Sequence, residues 1–281
     1  MKTKIIVDST ADLTPEVAEQ LTVVPLSIRF GDVEYVHGQD LTNQEFYEKL
    51  VESDVLPTTS QPTPFAFEEE YRKAVEAGQE AVVITLSPKL SGTYQSATVA
   101  AAEFPGKIHV VDSENVTIGA GILAEYALRL AKEGLSAPDI TRELEKQKKR
   151  IHLLAMVDTL EYLKKGGRIS KTVAFAGELL QLKPVLRVRD GEIKVIGKAR
   201  GSRQGNNLLV QEIKSAGGVD FTMPLLLGYT GMTDVLLQKY IRDSAALWEG
   251  HVDTLPQTIV GSVVGTHAGP GAVAVAFFAE E

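Results

Sequence analysis

The run AVVITLSPKLSGTYQSATVAAAEFPGKIHVV, residues 81–111, decides the fold class. Ala81 to Leu86 is an apolar, β-branched run of strand length, and Ser87 to Ser91 breaks it with polar residues and Pro88. Gly92 to Phe104 is rich in Ala and reads as a helix, and Ile108 to Val111 is a second strand. Strand, helix and strand in this order form a right-handed βαβ unit, which belongs to a parallel sheet covered on both faces. Ligands of such sheets sit beyond the carboxyl ends of the strands.

The same texture extends in both directions. Upstream, Lys4 to Val7 is a buried-strand pattern, Thr10 to Gln20 a helix with Asp12 and Thr14 as cap candidates, and Phe46–Val51 and Pro64–Ala77 are further helices. Downstream, Ile118 to Lys132 is a long helix, and a basic helix end runs from Glu143 to Arg150. The pattern then changes. Asp190-Gly191 stands between the alternating runs VLRVR and EIKVI, a strong β-hairpin signal within Val185–Ile196. Helices at Gly205–Lys214 and Thr233–Trp248 and strands at Pro224–Tyr229, Val252–Ile259 and Ala272–Phe278 complete a mixed or antiparallel sheet layered on helices. At about 150 residues per domain, the 281 residues predict two α/β domains: a Rossmann-like parallel-sheet domain over 1–150 and a mixed-sheet domain over 151–281.

Composition removes several function classes. There is no Cys, hence no disulfide, thiolate zinc site, iron-sulfur cluster or cysteine nucleophile. The net charge of -8 argues against nucleic acid and against more than transient contact with an anionic membrane. Only three apolar residues, Ile5 to Val7, follow the basic start, and the uncharged stretch Thr254–Ala279 is broken by Pro256 and Pro270, so a soluble cytoplasmic protein is expected. The charge is unevenly spread. Residues 1–150 sum to -9 and residues 151–281 to +1, yet residues 164–203 carry eleven Lys/Arg, among them Arg168 and Arg200, against three acids. This strip reads either as a solvated face or as a docking and phosphate-steering surface.

Asp followed by a hydroxyl residue recurs after apolar runs, at Val7-Asp8-Ser9-Thr10, Val111-Asp112-Ser113 and Val157-Asp158-Thr159, a pattern that ties down strand-to-helix turns. Three polar loops stand out as well. Thr58-Thr59-Ser60-Gln61-Pro62-Thr63-Pro64 is dense in hydroxyls and, taken alone, reads first as a capping loop. Ser87 to Tyr94 joins a strand to a helix, where hydroxyls and unpaired amides suit a carboxylate or phosphate. Gly265-Thr266-His267-Ala268-Gly269-Pro270-Gly271 brings a histidine to a glycine-rich backbone that a ligand can approach closely. Ser91 or Thr93 with His267 would make a nucleophile pair, but G-x-S-x-G is absent, and so are both phosphate-loop signatures.

Five segments in order resemble the DegV family of bacterial fatty-acid-binding proteins: Ile6–Leu13, Thr59–Pro62, Ile84–Ala97, Asp158–Ser170 and Gly265–Gly271. The resemblance spans nearly the whole chain. It implies two α/β domains with a long-chain fatty acid buried in a tunnel between them, no other cofactor and no metal. Thr59, Ser91 and His267 would hold the carboxyl group, with Ser60, Gly92, Thr93 and Thr266 as further contacts. It also implies a carrier, not an enzyme, that presents the acid to a separate ATP-dependent fatty acid kinase for conversion to an acyl phosphate used in phospholipid synthesis. Arg168 and Arg200 would be the exposed arginines that meet the kinase. Thr63 and Pro88 stand where such proteins usually carry serines, and the basic run around Arg200 is sparser. Ile28, Ile118, Val173, Phe175, Leu179 and Leu180 are candidates for the tunnel lining, but each reads first as a core residue, and Val173–Leu182 first as a core helix. The remaining alternative is an acyl ester hydrolase built on a Ser91/His267 pair.

Overall fold

A computed structural model describes residues 2–169 and 182–280. The chain opens with β1 (Thr3–Asp8), whose last residue is already engaged. The Asp8 carboxylate accepts from the Thr10 amide and hydroxyl at 2.9 and 2.6 Å and from the Leu86 amide at 2.7 Å, closing its own turn and binding the neighbouring strand end. The helix expected over Thr10–Gln20 shrinks to one turn, α1 (Pro15–Ala18), because the preceding residues form this turn instead. Next come β2 (Thr22–Val24), β3 (Ser27–Phe30), β4 (Val33–Val36), α2 (Asn43–Glu52) and β5 (Thr58–Ser60). Helix α2 starts at a capping box between Thr42 and Glu45. Then follow α3 (Pro64–Glu76), β6 (Glu80–Thr85), α4 (Thr93–Ala101), β7 (Ile108–Asp112), α5 (Thr117–Lys132) and α6 (Ala137–Gln147).

Strands β2-β1-β6-β7 form the parallel sheet that the βαβ pattern predicts. A second, antiparallel sheet of order β4-β3-β5 has no counterpart in the sequence pattern; its register sets Thr59 opposite Ile28. The chain enters a six-stranded mixed sheet at β8 (Ile151–Met156). Helix α7 (Glu161–Lys165) precedes the hairpin β9 (Leu182–Arg189) and β10 (Glu192–Arg200), which turns at Asp190 and Gly191 with φ of 51° and 77°, the left-handed pair that a tight hairpin requires. After α8 (Gly201–Ser215), β11 (Leu226–Tyr229), α9 (Val235–Asp243), β12 (Gln257–Ile259), α10 (Ser262–Ala268) and β13 (Val273–Phe278), the sheet order is β10-β9-β8-β13-β11-β12. Among these pairs only β11 with β12 is parallel.

Strand alternation sorts the apolar side chains into layers. In β1, Ile6 faces α3 and α4, while Ile5 and Val7 face α5. In β13, Val273, Val275 and Phe277 face α8 and α9, while Ala274, Ala276 and Phe278 face α5. Helix α5 therefore lies between the two sheets, buried along most of its length. Helix α10, although late in the chain, packs its Val263 with Phe46 and Tyr47 of α2 and with the small sheet. Ile28 and Ile118 belong to these cores and not to the cavity wall, as the first of their two sequence readings has it. Val173, Phe175, Leu179 and Leu180 lie outside the described residues.

Candidate functional site

A cavity opens where the carboxyl ends of the parallel sheet face the mixed sheet. Leu86, Leu90 and Val116 line it from the first part of the chain, and Leu153, Val188 and Ala274 from the mixed sheet. Its empty volume, open solvent at the mouth included, is about 1120 Å³. The lining is predominantly apolar. Thr10, Thr117 and Thr230 also contribute to it, with hydroxyl oxygens already bonded to Asp8, Asp12 and the Ala272 amide respectively.

Thr59, Ser91 and His267, the residues that the resemblance singles out, all line this cavity. Thr59 is the middle residue of β5, so its side chain turns inward while Ser60 on the next position is exposed. Ser91 sits between β6 and α4, where its hydroxyl lies 2.9 Å from that of Thr93 and accepts from the Thr93 amide at 3.3 Å. His267 lies in the last turn of α10, and its Nε2 is 2.9 Å from the Thr59 hydroxyl. The segment expected as a flexible glycine loop is helical as far as Ala268. The reason is close packing: a Cβ on Gly265 would fall 2.6 Å from the Tyr47 hydroxyl. Gly269 and Gly271, with φ of 72° and 80°, then make the turn into β13.

The wider set of expected contacts divides. Thr93 is buried behind Ser91 and orients its hydroxyl. Gly92 faces the cavity, and a Cβ there would meet the Gln61 side chain at 2.2 Å. Thr266 is a correction: it is buried and its hydroxyl donates to Ser262 O at 2.9 Å, inside its own helix. Ser60 is likewise turned away from the site. Gln61 is the contact that sequence reasoning passed over. It lines the rim and donates to the Ser96 hydroxyl at 3.1 Å, and its only signal was its place in the Thr59–Pro62 segment.

Arg168 is not an exposed docking residue. It is half-buried on the cavity wall, donating from Nε to Leu90 O at 3.1 Å and from Nη1 to Gly166 O at 2.6 Å, and so bridges the β6–α4 loop and the end of α7. Arg200 is exposed at the end of β10 and does not line the cavity. Burial, and secondarily the positive charge of Arg168, push the His267 imidazole down to about 4. At neutral pH the ring is uncharged, and its Nδ1 is buried without a hydrogen-bond partner among the described residues. Gly166 makes room for it, since a Cβ there would lie 2.2 Å from Nδ1.

This arrangement places hydroxyl groups, a neutral imidazole and a nearby guanidinium at one end of an apolar cavity, which suits a carboxyl group carrying a long apolar chain. It does not make a Ser/His nucleophile pair. The Ser91 hydroxyl is partnered by Thr93 and the His267 ring by Thr59, and no carboxylate orients Nδ1 among the described residues. Among those residues there is also no cluster of three or more potential metal ligands, and no helix long and apolar enough to cross a membrane.

A family model described as "Uncharacterised protein, DegV family" matches residues 2–280. A DegV domain-containing protein from Deinococcus radiodurans is 36% identical over 282 residues, covering 98% of each chain. Among solved structures, a DegV family protein from Thermus thermophilus, described by its fatty acid binding, superposes with a TM-score of 0.89 at 32% identity over 100% of both chains. A stearic acid-binding protein from Eubacterium ventriosum superposes with a TM-score of 0.87 at 28% identity, covering 99% of this chain and 98% of that one. DegV from Bacillus subtilis, a fatty acid binding protein, gives 0.83 at 31% identity over 100% of both chains.

Proposed function

The chain belongs to the DegV family, and on that premise we propose that it binds one long-chain fatty acid in the cavity between its two sheets, with the carboxyl group at Thr59, Ser91 and His267. The observation that carries this reading is the 2.9 Å contact between Thr59 and His267 at the polar end of an otherwise apolar cavity. Each methylene taken out of water contributes about 0.8 kcal/mol. A carboxylate withdrawn without donors would cost several kcal/mol, so a cluster of donors at one end fixes which way the acid enters. Arg168 supplies the compensating positive charge without contacting solvent fully.

The second part of the proposal concerns what the bound acid is for. The protein acts in the cytoplasm as a carrier with no catalytic activity of its own, and a separate kinase transfers the γ-phosphoryl group of ATP to the carboxylate, giving an acyl phosphate for phospholipid synthesis and ADP. The exposed Arg200 belongs to the surface that receives this partner, and Arg168 orients the carboxyl end from inside. Solvent extraction and mass spectrometry of the purified protein test the binding: a stoichiometric fatty acid is expected, and none before or after incubation with oleate overturns it. Incubation with ATP and the fatty acid kinase, followed by hydroxylamine trapping, tests the presentation. An acyl hydroxamate is expected only when all three are present.

A further inference from the structure

Asp12 is a buried carboxyl group that the headgroup site does not touch, only 7% exposed. One of its oxygens accepts from the Gly261 amide at 2.7 Å and the other from the Thr117 hydroxyl at 2.5 Å. Gly261 immediately precedes α10, the helix that carries His267. Thr117 opens α5 and lines the cavity. One carboxyl group thus holds the start of the His267 helix and a piece of the cavity wall.

Other features converge on the same junction. Thr117 has φ of 50°, a left-handed conformation that is costly for a β-branched residue and persists only where its surroundings hold it. A Cβ on Gly261 would lie 2.5 Å from His37 Nε2 and 3.0 Å from Asp12 Oδ1, so the amide reaches the carboxyl group only because the residue is glycine. The Tyr47 hydroxyl donates to Val260 O at 2.7 Å, and the Thr258 hydroxyl donates to Leu13 O at 2.8 Å. The bonds to Gly261, Val260 and Thr258 tie the segment before α10 to the first part of the chain, and Asp12 alone among their partners named here also holds Thr117 of the cavity wall.

We propose that Asp12 is a positioning residue of the headgroup site: by gripping Gly261 and Thr117 together it sets where α10 presents His267 to Thr59 and couples that placement to the cavity wall. A site that must hold a small polar group needs its donors fixed by supporting contacts, and Asp12 supplies that support at the N-terminal end of α10. The ligand half of this inference rests on the fatty-acid reading; the placement of His267 does not.

The experiment therefore has two independent readouts. In the ligand-free protein, NMR titration of His267, assigned with His267→Gln, reports whether the ring stays shielded. Asp12→Ala is expected to move the His267 titration from about 4 upward toward its ordinary 6.5, whereas Asp12→Asn, which keeps an acceptor for Gly261, restores the low value. In the loaded protein, release of labelled oleate into excess serum albumin is expected to accelerate about tenfold or more in Asp12→Ala. Thr117→Val, which keeps the shape of the residue and removes its hydroxyl, should also speed release, and it carries the test if Asp12→Ala does not fold. Folded variants with wild-type His267 titration and wild-type release overturn the proposal. If the wild-type protein takes up no oleate, the fatty-acid reading fails while the His267 titration still decides the role of Asp12.

Discussion

The hydroxyl of Thr59 and the Nε2 of His267 lie 2.9 Å apart, although 208 residues separate them in the chain. One comes from a short antiparallel strand and the other from the last turn of a seven-residue helix that packs against that strand's sheet. Removing either member should be felt by a carboxyl ligand. Thr59→Val keeps the side-chain shape and deletes the donor, and we expect the dissociation constant for a fluorescent fatty acid to rise about ten- to a hundredfold. Ser91→Ala and His267→Gln should fall in the same range, with the double variants less than additive because the residues share one ligand group. Wild-type affinity in Thr59→Val would refute the assignment.

Gly166 tests the placement of the imidazole from behind. An alanine Cβ would sit 2.2 Å from His267 Nδ1, so the ring must move. Gly166→Ala is expected to weaken fatty-acid binding about tenfold. In a His267→Ala background the same change should have little further effect, since the clash is gone. A double-mutant cycle by equilibrium titration measures the coupling directly.

Arg168 and Arg200 should separate. Arg168 bonds Leu90 O and Gly166 O on the cavity wall, so Arg168→Gln should lower fatty-acid affinity and let the His267 pKa rise as the neighbouring charge disappears. Arg200 is exposed and remote from the lining, so Arg200→Gln should leave affinity unchanged and slow acyl phosphate formation by the kinase. Equal loss of affinity in both variants would contradict this division.

Stability should depend on pH through buried histidines. Burial pushes His37 down to about 4, as it does His267, so the folded protein keeps both rings neutral while the unfolded chain protonates them near 6.5. Their contribution, on the order of 3 kcal/mol each, is present above pH 6.5 and is lost as pH falls toward 4. Asp12 acts in the opposite sense. Burial raises it to about 7, so the folded state favours its protonated form and its contribution declines as pH rises from about 4 to 7. Melting-temperature scans should therefore show His37→Gln flattening the rise between pH 4 and 6.5, and Asp12→Asn steepening it.

The layers built on β1, β6, β7 and the β9–β10 hairpin were legible because their signals are local. Apolar runs of strand length, an Ala-rich helix and an Asp-Gly turn each carry their conformational preference in a few adjacent residues. The small sheet β4-β3-β5 was not legible. Its strands are short and partly exposed, with only Ile28 and Phe30 buried in β3 and no buried residue in β4 or β5, and its pairing is specified by packing against α2 and α10. The sequence reads α10 as a loop, but its one glycine, Gly265, serves close contact with Tyr47, a reason that no neighbouring residue reveals.

The sequence by itself determined the α/β class, the order of the main elements and, through five segments in register, the family, and it singled out Thr59, Ser91 and His267 as candidates. Only the tertiary structure decided that these three residues line one cavity, that the Thr266 hydroxyl is spent within its helix, that Arg168 turns inward, and that Asp12 joins α10 to the cavity wall. Conformational preference acts over a few residues and can be read along the chain. Convergence depends on how layers far apart in sequence pack, and the orientation of a side chain is set by the neighbours that packing brings to it.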